Sequence, residues 1–203
     1  MSNRIQYPIT LTGQTVELIS LDKTHFAELE VLAREKRIWE FYPFDVTTSE
    51  KFLTAFETAL VEREKGNQFP FVIVHKQHRK IIGSTRYIDI QPRHKKLEIG
   101  WTWLHPDYWA TEVNLECKLL QLTHCFETLQ LSRVQLKTDE NNLRSRKAIQ
   151  KIGAQFEGIF RNDMIRDNCT KRNSAYYSII EEEWKDKKVK LAELYHTKRM
   201  NNT

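Results

Sequence analysis

Three side chains and one turn in this sequence could do chemistry together. Residues 97–104 (LEIGWTWL) read as a strand, and His105-Pro106 leads it into a tight polar turn that feeds a helix. The first N–H groups of a helix have no partner within it, so such a turn is a ready anion site. Glu98 lies on that strand, and by alternation it faces opposite to Leu97, Ile99, Trp101 and Trp103. Its carboxylate could take a proton directly or through water, or it could pair at the surface with Lys95 or Lys96. Further on, Asn142 and Ser145 open a second apolar helix in the run TDENNLRSRKAIQKIGA. Asn142 can cap that helix. Ser145 offers a hydroxyl that could give up a proton, or that could simply bond the backbone of its own first turn.

The elements that position these groups are a strand (97–104), a helix (113–128), a second strand (133–138) and a second helix opening at Asn142. Parallel strands need a crossover of this length, so the stretch is a strand–helix–strand–helix unit. On its first helix Leu115, Leu119, Leu122, Phe126 and Leu129 recur at helical spacing and form a core face. Upstream, 15–20 alternates as a first strand, and Asp22 can cap a helix running to about Arg37. The aromatic segment 38–46 holds Pro43 and reads as a loop. Thr47 with Glu50 makes a capping box for a helix that turns Phe52, Phe56 and Leu60 inward and stops at Gly66. Segments 69–75 and 80–90 form a hairpin, and 156–166 with 171–180 a closing one. Residues 181–203 are highly charged and read as a helix that frays at its end. No repeat or linker divides the chain, so one domain over 1–203 is expected, with a core of about 11–184 and a charged tail over 185–203.

Composition excludes several classes. At 203 residues, 40% hydrophobic and 29% charged, the chain is globular rather than disordered or fibrous. No apolar run reaches the roughly 20 residues that span a bilayer, so no membrane partner is expected. The stretch MSNRIQYPITL has no charged segment followed by an apolar core, so a cytoplasmic protein without a secretory signal is expected. Cys117, Cys125 and Cys169 form no C-x-x-C pair, and the seven histidines show no ligand spacing, so neither disulfide nor metal is expected. A net charge of +5 fits an anionic ligand or an evenly solvated surface. It is scattered, and without a recognition motif it does not make a nucleic-acid binder.

Taken in order, HPDYW at 105–109, the TDENNLRSRKAIQKIGA run, FEGIFR at 156–161 and the ending YYSIIEEEW resemble the GNAT superfamily of N-acetyltransferases. The resemblance is to the branch that acetylates ribosomal-protein N-termini, and it runs from about Leu11 to Trp184. It implies an α/β (α+β) fold: a central twisted, mostly antiparallel sheet, splayed at a parallel strand pair, with helices on both faces. It also implies acetyl-CoA as the only cofactor. The pyrophosphate would sit at Trp109, Ala110, Thr111, Glu112, Val113 and Asn114, and Asn142 would bond the cofactor arm. Main-chain N–H groups near Trp103 and Leu104 would face pantetheine and the oxyanion. Glu98 becomes the candidate base, and Ser145 the candidate donor to the leaving thiolate. In the family this loop is usually R/Q-x-x-G-x-G/A. Here both glycines are absent, and the sequence follows a W-x-T-x-x-N-x-E variant ending at Glu116.

In the loop between the first two helices, which covers the acceptor site in this fold, Trp39, Phe41, Tyr42 and Phe44 form either a lid or a core plug. Trp39, Phe41 and Arg86 are the candidate acceptor-binding residues, although Arg86 also suits an exposed strand position. The expected activity is acetyl-CoA-dependent acetylation of a primary amine by direct attack, in a monomer or homodimer. The acceptor could be a protein N-terminus, a polyamine, or an amino-bearing metabolite or antibiotic. The competing expectation, favoured by the glycine-free loop, is a non-catalytic acyl-CoA-binding regulatory module.

Overall fold

The computed structural model describes residues 5–201. Residues 1–4, part of the stretch read for a secretory signal, and 202–203, the end of the charged tail, lie outside the described residues. β1 (Thr10–Thr12) and β2 (Val16–Ser20) form the first hairpin. β1 is only three residues long, and its alternation is too short to announce it. α1 (Phe26–Ala33) is shorter than the helix read to Arg37. Glu35 is extended (φ −71°, ψ 102°), and its carboxylate accepts the Arg37 N–H, starting a separate 3-10 turn over Lys36–Ile38.

α2 (Ser49–Glu64) is capped by Thr48, not Thr47. Thr47 is taken by Asp45, whose carboxylate accepts both its N–H and its hydroxyl, so the capping box with Glu50 does not form. Gly66, at φ 80°, turns the chain out of the helix where a side chain would be strained.

β3 (Phe69–His75), β4 (Lys80–Gln91) and β5 (Lys96–Leu104) follow. α3 (Val113–Thr123) runs on through a π-helical turn over His124–Thr128. The rest is β6 (Arg133–Asp139), α4 (Leu143–Lys151), β7 (Gln155–Ile165), β8 (Lys171–Ile180) and α5 (Glu181–Met200). The sheet order is β1-β2-β3-β4-β5-β6-β8-β7, and only β5–β6 is parallel. Core residues cover both faces. Phe71 and Ile73 of β3 face the α3–α5 side, while Val72 faces the α1–α2 side. That is why this strand reads as an unbroken apolar run.

α5 extends the core beyond residue 184, because Trp184, Leu191 and Tyr195 fall on one stripe and are buried. Among the described residues no helix is long and apolar enough to cross a membrane.

One buried carboxylate ties α3 to the first hairpin. Glu116, 3% exposed, accepts the N–H groups of Gln14 (2.6 Å), Thr15 (2.8 Å) and Val16 (2.8 Å). The approach is close enough that a Cβ on Gly13 would lie 2.4 Å from the carboxyl carbon. Glu116→Gln would set an NH₂ against these donors and remove the charge that strengthens them. It is expected to cost about 3 kcal/mol, read as a lower urea midpoint with the native circular dichroism spectrum retained.

Candidate active site

β5 and β6 pair over three positions only, Lys96↔Arg133, Leu97↔Val134 and Glu98↔Gln135, and then part. The cause lies in β5. Trp101 takes φ 51°, and the register with β4 jumps from Arg86↔Gly100 to Ser84↔Trp103, so β5 bulges and bends away. The gap is a cleft of about 310 Å³, lined by both strands, the start of α4 and the aromatic loop.

The cleft brings together most of the residues singled out from the sequence. Glu98, Trp103, Leu104, Trp109, Ala110 and Asn114 line it, as do Asn142 and Ser145. Trp109 is fixed by its Nε1–H, which donates to the Leu104 carbonyl at 2.9 Å, and the Arg144 guanidinium lies 3.6 Å from its ring centroid. Thr111, Glu112 and Val113 form the turn without lining the cleft by their side chains. The Thr111 hydroxyl donates to the Tyr108 carbonyl (2.8 Å) and accepts the Val113 N–H (3.3 Å), while the Val113 side chain is buried in the core. Glu112 caps α3 at φ −71°, ψ −18°, a right-handed conformation open to any residue, so no glycine is needed there. The left-handed position in this turn is Ala110, at φ 59°.

Asn142 caps α4, its Oδ1 accepting the Ser145 N–H at 2.9 Å. That leaves the carboxamide NH₂ as the group that could meet a ligand. Among the described residues no hydrogen bond ties the Ser145 hydroxyl to its own turn. Glu98 does not pair with Lys95 or Lys96. It is 2% exposed, accepts from Gln135 Nε2 at 2.8 Å and has Lys137 Nζ at 3.6 Å. Burial pushes its pKa up, and Lys137 and Gln135 pull it only partly back.

Two acceptor-site expectations are corrected. Phe41, Tyr42 and Phe44 line the cleft, but Trp39 stands behind them. It is 5% exposed, donates from Nε1 to the Ala33 carbonyl at 2.7 Å, and packs on Tyr42 and Trp103 as a plug. The loop is thus lid and plug at once. The Tyr42 hydroxyl donates to the Thr102 carbonyl at 3.0 Å and pins the lid to β5. Arg86 neither lines the cleft nor reaches solvent. It is 2% exposed, with its guanidinium 3.8 Å from the Trp101 ring centroid, because its register position opposite Gly100 sets it beneath the bulge.

Four basic residues of the cleft went unread in the sequence: Lys118, Lys137, Arg144 and Arg172. Lys118 carried a signal, since it falls between Leu115 and Leu122 on the core face of α3. Its Nζ donates to Thr102 Oγ1 (2.7 Å) and Gln121 Oε1 (3.0 Å), and burial lowers its pKa to about 8. A lysine whose pKa falls on folding costs stability while charged. The penalty is full below about 8 and fades as pH rises towards the unfolded value of 10.5. Lys118→Met is therefore expected to gain stability over the wild type by more at pH 7.5 than at pH 10, measured by urea unfolding at the two pH values.

The profile of the family described as "Acetyltransferase (GNAT) domain" matches residues 15–155. The Bacillus subtilis (strain 168) protein "Uncharacterized N-acetyltransferase YnaD" is 26% identical over 151 residues, which are 74% of this chain and 84% of that protein. A GCN5-related N-acetyltransferase from Brucella melitensis superposes with a TM-score of 0.83 at 22% identity, over 95% of this chain and 86% of that one. Mycobacterium smegmatis RimJ, solved with CoA-disulfide, superposes at 0.79 and 18% identity, over 93% and 95%. The splayed parallel pair, the strand–turn–helix beside it and a family profile covering most of the chain agree, and the chain belongs to the GNAT acetyltransferase family.

Proposed function

We propose that the chain acetylates a primary amine, with acetyl-CoA in the cleft and Glu98 as the base. The observation that carries this reading is Glu98 itself, a carboxylate at the point where β5 and β6 part, on the cleft wall, with its pKa raised by burial. An acceptor ammonium must lose a proton before its nitrogen can attack, and a carboxylate of raised pKa is a better base than an ordinary one. Lys137 and Gln135 hold it in place.

The cleft residues fit CoA. The N-terminus of α3 turns its first-turn N–H groups and a positive dipole towards the turn, and Arg144 adds a charge suited to phosphate. Trp109, Ala110 and Asn114 would hold the pyrophosphate end and Asn142 the arm. When bound, acetyl-CoA would supply an acetyl thioester open to attack by the amine. Main-chain N–H groups around Trp103 and Leu104 would stabilise the carbonyl oxygen, and Ser145 Oγ would hold the proton for the departing sulfur. The non-catalytic alternative rested on the missing glycines. The right-handed backbone at Glu112 and the place of Asn114 within α3 mean that neither lost glycine position calls for a left-handed conformation, which supports the catalytic reading.

Glu98→Gln keeps the side-chain shape and removes the basic oxygen. Acetylation is expected to fall about 10²–10⁴-fold near neutral pH, with the deficit shrinking at high pH. In the wild type the acid limb of the rate profile should lie above the ordinary glutamate value of 4.5, because the raised pKa keeps Glu98 protonated to higher pH. Stability should run the other way. Folding favours the neutral form, so the contribution of Glu98 is full below 4.5 and is lost as pH rises through the folded pKa. Pairing of a pH–rate profile with a pH–stability series tests this, and overlaying rate profiles would remove Glu98 as the base.

A further inference from the structure

Charge in the cleft is unbalanced. Glu98 is its one acidic lining residue among the described residues, against Lys118, Lys137, Arg144 and Arg172. Three of the cations have places: Lys137 faces Glu98, Lys118 is bonded to Thr102 and Gln121, and Arg144 lies on Trp109. Arg172 is different. It is 7% exposed, and its Nε has no hydrogen-bond partner. Asp139 Oδ2 stands 3.7 Å away, but that oxygen is bonded by Arg166 at 2.5 Å, and Oδ1 accepts the Asn141 N–H at 2.9 Å. Asp163, the other nearby carboxylate, accepts the Tyr176 hydroxyl on Oδ1 at 2.9 Å, while its buried Oδ2 makes no hydrogen bond. Burial lowers the Arg172 pKa, and these two carboxylates offset only part of the cost.

Arg172 and Glu98 line the same cleft, and between their rows on the sheet Lys137, which faces Glu98, lies 5.5 Å from the Tyr176 ring centroid. The turn that leads into Arg172 is tied to the lid, since the Asp167 N–H donates to the Pro43 carbonyl at 2.8 Å. A guanidinium that lines the cleft, incompletely hydrogen-bonded and in the same cleft as the candidate base, is suited to an anion carried by the acceptor. We propose that Arg172 binds a carboxylate on the acceptor, so that the acceptor class is amines bearing a carboxylate near the amino group. This inference rests on the amine-acetylation reading and narrows it. Four cations in the cleft disfavour polyamines, which would bring further positive charge. The carboxylate could be the α-carboxylate of a free amino acid or the side chain of an N-terminal Asp or Glu; both present the same group.

Two measurements test it. Thiol release is followed with free amino acids, with peptides beginning in Asp or Glu, with the corresponding amides and with spermidine, for the wild type, Arg172→Gln and Arg172→Lys. The wild type should favour a carboxylate over its amide by at least about tenfold in kcat/KM. Arg172→Gln should collapse that ratio through KM, and Arg172→Lys should restore part of it. Which of the two carboxylate arms shows the preference identifies the source. Separately, calorimetry measures binding of N-acetyl amino acids, N-acetyl-Asp and N-acetyl-Glu peptides, and their amides to the CoA-loaded protein, a readout that needs no turnover. Carboxylate preference in binding without any turnover supports Arg172 and overturns the amine-acetylation reading alone. Equal use or equal binding of carboxylate and amide, preference for spermidine, an unchanged ratio in a folded Arg172→Gln, or no binding by any of these ligands overturns the inference. If Arg172→Gln does not fold, the wild-type comparison of carboxylate with amide decides alone.

Discussion

Trp101 is gripped by a guanidinium and a ring, and the open half of the sheet depends on that grip. Its left-handed backbone is one a bulky residue avoids, at a cost of about 1–2 kcal/mol. Arg86 at 3.8 Å from the ring centroid and Phe44, stacked at 4.3 Å, offset it. A desolvated cation–π contact is worth about 2 kcal/mol and an aromatic pair about 0.5–1.5. With the bulge held, β5 leaves β6 after Glu98. That departure frees the cleft-side backbone of β5 and leaves the Thr102 carbonyl to the Tyr42 hydroxyl. It also leaves Glu98 at the fork. The wedge, the lid and the candidate base are consequences of one bend.

Buried charge is the second theme of the molecule. Glu116, Lys118, Arg86, Arg172 and Glu98 are each less than a tenth exposed. Ionic groups in such places cost stability unless they are well partnered. Glu116 is satisfied by three main-chain donors and serves the architecture. Arg86 is held by the Trp101 ring, the Gln68 side chain and the Ala55 carbonyl, with its Nε left unbonded, and serves the bend. Lys118 is held by neutral oxygens alone, and the Arg172 Nε has no hydrogen bond.

Much of this was legible in the sequence. The strand–turn–helix, the Asn142 cap and the closing hairpin were readable because period and capping chemistry are local. The family resemblance added the splay of the parallel pair. What escaped depends on contacts between distant segments. Arg86 suited a cleft or an exposed position, and its burial was hidden because strand alternation cannot show a bulge on the neighbouring strand. Whether Trp39 was lid or plug stayed open because an aromatic run does not say which ring faces inward. Arg172 belongs to a hairpin about seventy residues beyond the cleft's first wall, and only the sheet order brings the two together. α5 looked like a tail because its apolar residues are few, although they share one stripe.

Hydrogen exchange with and without CoA tests the central claim most directly. CoA bound in the fork as proposed would set its pyrophosphate at the start of α3 and its arm along the end of β5. Millimolar CoA should therefore slow exchange at amides 111–115 and at Trp103 and Leu104, leaving the β1–β2 hairpin unchanged. Protection elsewhere, or no protection at those amides under conditions where CoA raises Tm, would contradict it.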